Sequence, residues 1–362
     1  MDFGLSEDQV LLEETVRGFL TETVPIERVR ALRDDDCPVN SEIWKSIAEL
    51  GMAGILVPED QGGSDLSLLD ASIVSESLGR AVTPTPFLSS SVIATVALKS
   101  VESLKSAEWL TGIASGDLIM GTAFTELFSR REGAGVSVAN GRLEGKAMMA
   151  LDACVSDLIL IAIDEDTLAV VRRDSAGVET TRLATTDSTR CTAEVVFSGA
   201  IPEAIIYGSA NAISRALDAG RIVLAADTLG ACEVMIEQSV RYAGERKQFG
   251  RLIGSFQAVK HMCSEMIAEL EPARSLLWYA AHSFDASPEE TPLMACHVLS
   301  HISEIGREIA SVSTQVHGGI GWTDEQNLHF WFKRIGVARH LLGGPEFLRE
   351  RAAGLQSFAT AS

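Results

Sequence analysis

The spacing of apolar residues predicts helices through the first third of the chain. After Ser6, acidic positions are followed by apolar residues at helical intervals, namely Val10, Leu11, Val16, Phe19 and Leu20. Two segments rich in glycine and proline, PEDQGGSD at 58–65 and TPTPF at 83–87, predict loops. We therefore expect residues 1–115 to form an N-terminal helical domain.

The pattern changes between residues 117 and 200. Short β-rich runs, such as VSVANGRLEG, DLILIAI, TLAVVRR and CTAEVVFSG, alternate with turns of Gly, Asn and Asp. Such runs predict the strands of a small antiparallel β-domain. The segment IPEAIIYG at 201–208 leads out of it, and we place this domain at residues 116–205.

Helical spacing returns near residue 210. A first helix is predicted by apolar residues three to seven positions apart: Ile222, Ala225, Leu229, Ile236, Val240 and Ala243. A second helix begins near Gln257, and Pro272 inside it predicts a kink or an end. Long helices with short connections predict an antiparallel bundle.

Two further helices complete this bundle. The third is predicted to start at Thr291-Pro292, a cap followed by proline, and to run to Gly318-Gly319. The fourth is predicted after a capping box of Thr323 and Gln326, and it stops at Gly343-Gly344-Pro345.

Composition limits the classes of protein that fit this pattern. The expected fold is α+β, with a helical domain at 1–115, a middle β-barrel domain at 116–205 and a four-helix bundle at 206–362. The 362 residues are 46% hydrophobic and carry a net charge of −20, which argues against binding nucleic acid or an anionic membrane. Since no apolar run reaches the roughly 20 residues that span a bilayer, and the N-terminus lacks a signal peptide, we expect a cytoplasmic protein without membrane spans.

The six cysteines form no CxxC pair, and most have apolar neighbours. They are Cys37, Cys154, Cys191, Cys232, Cys263 and Cys296. We expect buried, reduced thiols.

Cations concentrate in one stretch of this acidic chain, RYAGERKQFGRLIGSFQ at 241–257. Arg246 follows Tyr242 by one helical turn and precedes Phe249-Gly250. One interpretation is a cation at a helix C-terminus, which the helix dipole favours. The other is a diphosphate site, because a guanidinium binds phosphate oxygens in bidentate fashion and glycine lets the backbone approach a ligand.

A second stretch, QVHGGIGWTDEQ at 315–326, favours the diphosphate interpretation. Its three glycines free several backbone N–H groups between two helices, and helix N-termini bind anions. One glycine-rich loop is weak support, but two such stretches in a helical region are stronger.

These stretches resemble a known family. YAGERKQFGRLIGSFQAVK and QVHGGIGWTDEQNLHFWFKR are similar to the C-terminal signatures of the FAD-dependent acyl-CoA dehydrogenases. GMAGILVPEDQGGSDLSLLD and EVVFSGAIPEAIIYG resemble the ends of that family's N-terminal and β-domains, so the resemblance covers the whole chain. It implies the three-part fold above, usually in dimers of dimers, with FAD as the cofactor and an acyl-CoA as the substrate.

The resemblance also implies a set of cofactor contacts. In the family, the arginine of Y-x-x-x-R-x-x-F-G, the glutamine before the next helix and the Q-x-x-G-G segment hold the ADP part of a neighbouring subunit's FAD. The corresponding residues here are Arg246, Phe249, Gln257, Gln315, Gly318 and Gly319.

The proton-abstracting base of the family is missing. The family reaction needs a carboxylate to remove an α-proton, and its Glu occupies one of two positions. The first, before a glycine, falls on Leu342 in RHLLGGPEF, and the second falls on Gly220 in DAGRIV. The second position implies that Arg221 lies in the vicinity of the substrate.

The β-domain departs from the family as well. Thr125-Glu126 is retained, but LFSRREGAG replaces the usual Gly-Ser-Asp stretch, and Met148 and Ala150 stand where Trp and Thr are expected near the flavin ring. The contacts donated to a neighbour are therefore retained while the chain's own site is eroded. This asymmetry resembles the base-lacking subunits of α2β2 acyl-CoA dehydrogenases of bacterial steroid side-chain degradation.

Several other side chains are candidates for a replacement base or for a further binding site. Asp227 lies on the helix face of Gly220 and is a weak candidate base, but a solvated or capping role is favoured. Asp324, Glu325 and Glu346 are interpreted as acidic residues at helix starts, where the helix dipole favours negative charge. His297 and His301 lack a third metal ligand, so no metal site is expected. Arg130-Arg131 and Arg172-Arg173 are expected to be solvated loop charges. The alternative is that they contact the phosphates of CoA.

Three hypotheses follow. The first is a role in FAD-dependent α,β-desaturation of an acyl-CoA, as the FAD-site-completing subunit of a heteromer or in a homo-oligomer, with an electron-transfer flavoprotein or similar acceptor. The second is a related enzyme that uses reduced flavin with oxygen. The third is a non-enzymatic scaffold that binds acyl-CoA.

Overall fold

The N-terminal part is helical, as expected. A computed structural model describes residues 4–33, 38–101, 104–129 and 131–358. The helices are α1 (Glu7–Thr23), α2 (Ile26–Leu32), α3 (Ser41–Glu49), α4 (Leu68–Arg80), α5 (Thr95–Lys99) and α6 (Leu104–Ser115), with a π-helical segment at Phe87–Ala94. Ser6 caps α1 through a capping box with Gln9, which confirms the predicted start of the first helix.

The middle part is one sheet. Its strands are β1 (Met120–Ala123), β2 (Gly135–Ala139), β3 (Arg142–Leu151), β4 (Leu158–Ala162), β5 (Thr167–Arg172), β6 (Val178–Arg182), β7 (Thr192–Ala200) and β8 (Ala204–Tyr207). The strand order is β6-β7-β3-β1-β4-β5-β8, with β2 paired to β3. The expectation of purely antiparallel strands was wrong at one place, because β1 and β4 pair in parallel.

Both faces of the central strands are buried. Along β4, Leu158 and Leu160 join the large core shared with the helices, whereas Ile159 and Ile161 join a second apolar cluster on the other face of the sheet. Alternate side chains of a strand point to opposite faces, so this strand is apolar throughout rather than alternating. The sheet is thereby held firmly against the helical parts.

The C-terminal part contains the long helices. They are α7 (Ala210–Glu245), α8 (Gln257–Ala286), α9 (Thr291–His317), α10 (Leu328–Ala338) and α11 (Pro345–Leu355). A small hairpin, β9 (Lys247–Gln248) and β10 (Arg251–Leu252), joins α7 to α8. Short 3₁₀ segments at Ile253–Ser255 and Gly318–Trp322 complete the connections.

Pro272 lies inside α8 and does not end it, so of the two predicted outcomes only the kink stays a prediction. Both Pro272 and Ala268, four residues earlier, are exposed, so water can reach the carbonyl that proline leaves unpaired. Two predicted helix caps were wrong. Thr291 does not cap α9, since its hydroxyl donates to the Ser283 carbonyl oxygen at 3.0 Å. Thr323 forms no capping box, because its hydroxyl donates to Ile320 and α10 starts later, at Leu328.

Helices α4 and α7 cross with their backbones in contact. A Cβ on Gly79 would lie 2.0 Å from the Asp227 carbonyl oxygen, and a Cβ on Gly230 would lie 2.0 Å from the Glu76 carbonyl oxygen. Only glycine fits at either position, so the N-terminal part is locked onto the centre of α7. Among the described helices, none is both long and apolar enough to cross a membrane.

Candidate functional site

The candidate site is built around the C-terminal end of α7. Arg246 is the C-cap residue, and its N–H donates to the Tyr242 carbonyl oxygen at 2.9 Å. The chain then turns back at Phe249-Gly250, both in the left-handed region with φ of 52° and 78°. Two consecutive residues of this conformation form the turn that a two-residue hairpin requires. The turn holds the Phe249 side chain in solvent, 93% exposed.

The end of α9 lies beside the end of α7. The rings of Tyr242 and His317 stack with centroids 4.7 Å apart, and His317 is the last residue before Gly318. Gly318 has φ of 65°, and Gln315, Gly318 and Gly319 are exposed. The two motifs therefore meet at one end of the bundle, although Tyr242 and His317 are 75 residues apart in sequence.

The start of α8 joins the same surface. A Cβ on Gly254 would lie 2.8 Å from the Ala243 carbonyl oxygen, so glycine lets the turn before α8 pack against α7. Gln257, the first residue of α8, is exposed next to it. We call the exposed group formed by Arg246, Phe249, Gln257, Gln315, Gly318 and Gly319 the bundle-end surface.

The hairpin and the helix end beside this surface carry several exposed cations. Four cationic side chains at the end of α7 and in the hairpin are exposed, namely Arg241, Arg246, Lys247 and Arg251. Within the described ranges, none of them forms an ion pair. Some other arginines are paired, as Arg80 is with Glu233 at 2.7 Å. The exposed cations at the end of α7 are accessible to an anion from outside the chain.

The environment of His317 disfavours its charged form. Burial lowers the pKa of its imidazole, and the charge of Arg241 acts in the same direction, against a 2.8 Å hydrogen bond from Nδ1 to the Ser313 carbonyl oxygen.

The two positions of the family's base meet far from this surface. A Cβ on Gly220 would lie 3.1 Å from Cδ1 of Leu342 and 2.8 Å from Cγ1 of Ile93. Leu342 and Ile93 are 5% and 0% exposed. Neither position carries an ionisable group, and hydrocarbon fills the space between them. That these are the positions of the catalytic base stays a prediction.

Arg221 is buried next to these positions. It is 1% exposed, its Nη1 donates to Asp218 at 3.0 Å, and its Nε donates to the Leu342 carbonyl oxygen at 3.1 Å. The guanidinium therefore holds the loop that contains Leu342. Its predicted place near a substrate stays a prediction.

Asp227 is neither solvated nor a helix cap. Its carboxylate is buried and accepts hydrogen bonds from Arg334 at 2.6 and 2.9 Å and from Arg190 at 2.6 Å. Burial would raise the pKa of Asp227, but the two guanidiniums outweigh it and hold the pKa below its usual range. The expectation of a solvated or capping carboxylate was wrong, and a carboxylate so paired is a poor base.

The cleft above Asp227 is filled. A cavity of about 10 Å³ lies among Leu224, Asp227, Arg334 and residues of the π-helical segment, including Phe87 and Leu88. This volume matches roughly one water molecule. An acyl chain therefore does not fit into this cavity in this conformation.

The side chains of Thr125 and Glu126, expected near a flavin ring, form hydrogen bonds within the chain. The Glu126 carboxylate accepts the Met148 N–H at 2.8 Å, and the Thr125 hydroxyl donates to the Met149 carbonyl oxygen at 3.5 Å. Burial raises the pKa of Glu126. Ala150 is fully buried and offers no side-chain donor. The chain's own half of a flavin site therefore lacks available donors at these positions.

The remaining candidates are accounted for by local contacts. Asp324 pairs with Arg30 and Arg33 at 2.8 Å each, and Glu346 pairs with Arg339 at 3.1 Å. His297 contacts Gln356. No His, Cys, Asp or Glu cluster within the described part of the chain is suited to a metal.

The two arginine pairs differ in what the structure describes. Arg172 pairs with Asp174 at 3.1 Å, and Arg173 donates to the Ser156 carbonyl oxygen at 2.7 Å. Arg130 lies outside the described residues. Arg172 and Arg173 are thus engaged in local contacts.

Sequence reasoning missed the partners of Asp227. Arg190 lies in the loop before β7 and Arg334 lies in α10, 37 and 107 residues from Asp227. It also missed Asp152, buried after β3, whose carboxylate accepts a 2.6 Å hydrogen bond from the Ser89 hydroxyl. No local motif marks these residues, because the fold alone brings them together.

Comparison with known proteins agrees with this architecture. Residues 6–117 match the family model "Acyl-CoA dehydrogenase, N-terminal domain", and residues 208–354 match "Acyl-CoA dehydrogenase, C-terminal domain". The chain is 30% identical over 342 residues to the acyl-CoA dehydrogenase IpdE2 of Mycolicibacterium smegmatis, covering 94% of this chain and 96% of that protein. The chain therefore belongs to the acyl-CoA dehydrogenase family, a family of oxidoreductases that use FAD.

Two solved structures are similar over their full length. The ChsE4–ChsE5 complex from Mycobacterium tuberculosis has a chain that matches with a TM-score of 0.91, 25% identity and 100% coverage of both chains. A variant of the Tcur3481–Tcur3483 steroid ACAD matches with a TM-score of 0.87 and 25% identity, covering 98% of this chain and 99% of that one. The predicted fold and the resemblance to subunits of heteromeric dehydrogenases are confirmed.

Proposed function

We propose that this chain completes the FAD site of a partner subunit in a heteromeric acyl-CoA dehydrogenase and leaves proton abstraction to that partner. The observation that carries the proposal is an asymmetry within one chain. The bundle-end surface is exposed and holds unpaired cations, whereas the cleft at Gly220 and Leu342 is filled with hydrocarbon and has no base.

The bundle-end surface suits a dinucleotide diphosphate. In the proposed complex, the planar guanidinium of Arg246 binds diphosphate oxygens in bidentate fashion. The backbone N–H groups at Gly318 and Gly319 and the amides of Gln257 and Gln315 donate further hydrogen bonds. All of these groups are exposed in the single chain, so they are available to a neighbour.

The division of labour follows from the chemistry of desaturation. A carboxylate of the partner removes the α-proton of the acyl-CoA, and the β-hydrogen leaves with its electron pair. Bound FAD supplies the acceptor for that hydride. This chain's residues hold the diphosphate and exclude water at the interface, and they transfer no proton.

The similarity to the Tcur3481–Tcur3483 steroid ACAD supports a steroid-derived acyl-CoA as the substrate of the assembly. An electron-transfer flavoprotein or similar carrier is proposed to reoxidise the flavin.

The test is the ratio of FAD to chain in purified protein. The chain is expressed alone and together with an acyl-CoA dehydrogenase subunit that carries the catalytic Glu, and flavin absorbance and ferrocenium reduction with an acyl-CoA are measured. We expect little FAD in the chain alone, and about one FAD per two chains with turnover in the complex. Full FAD occupancy and turnover by the single chain would refute the proposal.

The same measurement separates the other hypotheses. A flavin-and-oxygen enzyme binds FAD in the single chain and forms a flavin hydroperoxide in stopped flow. A scaffold binds acyl-CoA with no FAD in any assembly.

A further inference from the structure

The connection between α9 and α10, residues 318–327, spans an open space. It begins at Gly318, and its residues 322–325 are exposed. Beneath it lies a cavity of about 430 Å³. Residues of the connection line one side of this cavity and residues of α10 line the other, among them Trp322, Thr323, Asp324, Phe332 and Lys333. Because this space is open, packing against the bundle contributes little to the position of the connection.

The start of the connection is anchored on α9. The last residue of α9, His317, stacks on Tyr242 of α7. A Cβ on Gly321 would lie 3.0 Å from the Thr314 carbonyl oxygen and 3.0 Å from Cβ of His317, so glycine lets the backbone pack closely against α9. These contacts end at Gly321, and the later residues need a second anchor.

Helix α2 of the N-terminal part supplies that second anchor. The Arg30 guanidinium donates from Nη1 to Oδ2 of Asp324 at 2.8 Å and from Nη2 to the Asp324 carbonyl oxygen at 2.8 Å. Nη2 also donates to Oδ1 of Asn327 at 2.6 Å. Arg33 donates to the other carboxylate oxygen of Asp324 at 2.8 Å. Arg30 therefore holds both the backbone and the side chains of the connection.

The geometry of Arg30 suits this role. A guanidinium presents its donors in a fixed planar fork, so three acceptors on one segment set its orientation. Its Cζ also lies 5.5 Å from the ring centroid of Phe330 in α10. The side chains of Arg30 and Asp324 are 31% and 59% exposed, and exposed ion pairs contribute little to global stability. The main effect of the contact is therefore local, on the conformation of the connection.

We propose that Arg30 is a positioning residue for the FAD of the partner subunit, a role that rests on the function proposed above. Arg30 does not itself contact the cofactor. It fixes the far end of the connection that carries Gly318 and Gly319 at its start. A connection fixed at both ends samples fewer conformations, so less conformational entropy is lost when the glycine N–H groups bind the diphosphate.

The first measurement needs no partner. Hydrogen exchange of the purified chain is followed by mass spectrometry in the peptide that covers residues 318–327. Arg30→Ala should raise the exchange rate of these amides several-fold, because the anchor at Asp324 is lost. Arg28→Ala is the matched control, since Arg28 also lies in α2 but donates to Thr23 and Glu42 instead. Equal exchange in the two variants would overturn the proposal.

The second measurement uses the assembly of this chain with a subunit that carries the catalytic Glu. The dissociation constant for FAD is measured by titration of the FAD-free assembly. Arg30→Ala should weaken FAD binding by about three- to tenfold, the cost of ordering the connection on binding. Arg28→Ala should leave it unchanged. The thermal unfolding midpoints of the two variants should be similar, since each variant loses exposed ion pairs.

Arg246→Ala, measured beside them, separates the two proposals. If Arg246→Ala leaves FAD binding unchanged, the proposed function fails and the positioning role fails with it. If Arg246→Ala weakens FAD binding and Arg30→Ala does not, the positioning role alone is overturned. Weaker binding in both variants, with wild-type binding in Arg28→Ala, supports the role of Arg30.

Discussion

The ring of Tyr242 stacks on the ring of His317 with centroids 4.7 Å apart, and this contact holds the end of α7 against the end of α9. Tyr242 lies one turn before Arg246, and His317 directly precedes Gly318. One aromatic contact therefore holds together the two helix ends from which the exposed Arg246 side chain and the exposed glycine backbone extend.

Replacement of Arg246 tests this surface directly. Arg246→Ala should lower the FAD retained by the assembly at least several-fold, because the bidentate contact to the diphosphate is lost. Arg246→Lys should restore little of it, since an ammonium group lacks the planar fork of donors. FAD per assembly is measured by absorbance after gel filtration.

Lys45→Ala provides the control for that loss. It removes one positive charge from the exposed face of α3, away from the hairpin, and should leave the flavin content unchanged. Equal flavin content in the Arg246→Ala assembly and the Lys45→Ala assembly would contradict the assignment.

The packing at Gly220 predicts that even a methyl side chain at this position lowers the stability of the protein. Gly220→Ala should destabilise the protein by about 1–3 kcal/mol, because a methyl group would meet Ile93 at 2.8 Å. Gly18→Ala is the matched change in α1, where nothing lies within 4 Å, and it should stabilise by about 0.5–1 kcal/mol through helix propensity. Urea unfolding midpoints compare the two, and shifts in the same direction would show that the cleft is not tightly filled.

The buried ion pair of Asp227 predicts a larger effect. Asp227→Asn should cost about 3–5 kcal/mol, because it leaves the guanidiniums of Arg190 and Arg334 without a counter-charge in the interior. The exposed change Asp324→Asn, which also disrupts contacts to two arginines, should cost far less. Thermal unfolding of both variants measures the difference, and similar transition temperatures would contradict the role given to burial.

Asp152 predicts a dependence of stability on pH. Burial raises the pKa of its carboxyl from 3.8 to about 7, although the Ser89 hydrogen bond and the charges of Arg190 and Arg334 act to lower it. Between these two values the folded state binds one proton more than the unfolded state. The free energy of unfolding therefore falls as pH rises from about 4 to 7, by at most about 1.4 kcal/mol per pH unit.

The variant Asp152→Asn should remove this contribution. Its stability relative to the wild type should rise between pH 5 and pH 7 and then stay level. Denaturant unfolding at several pH values gives the difference, and a constant difference across this range would show that Asp152 does not titrate there.

Much of the helical architecture followed from local sequence. Pro292 and Gly318 marked the limits of α9, and Ser6 marked the start of α1, because proline, glycine and capping hydroxyls act on their immediate neighbours. The predicted capping box at Thr323 was wrong because a local contact competes with it. The 3₁₀ segment ending at Trp322 offers the Thr323 hydroxyl a nearer acceptor.

The interior of the site was beyond such reasoning. Arg334 and Asp227 are 107 residues apart, and nothing in either segment indicates the other. The parallel pairing of β1 with β4 has the same origin, since it depends on which strands the fold places side by side. Residues at the bundle-end surface were found only because their motifs are contiguous.

The length of α7 has one more consequence. Gly220 and Arg246 are separated by 26 residues of a single helix, or about 39 Å at 1.5 Å per residue. Substitutions at Gly220 therefore make no direct contact with the groups around Arg246. In the proposed heteromer, substitutions around Gly220 can thus occur without altering the groups offered to the partner's FAD at Arg246.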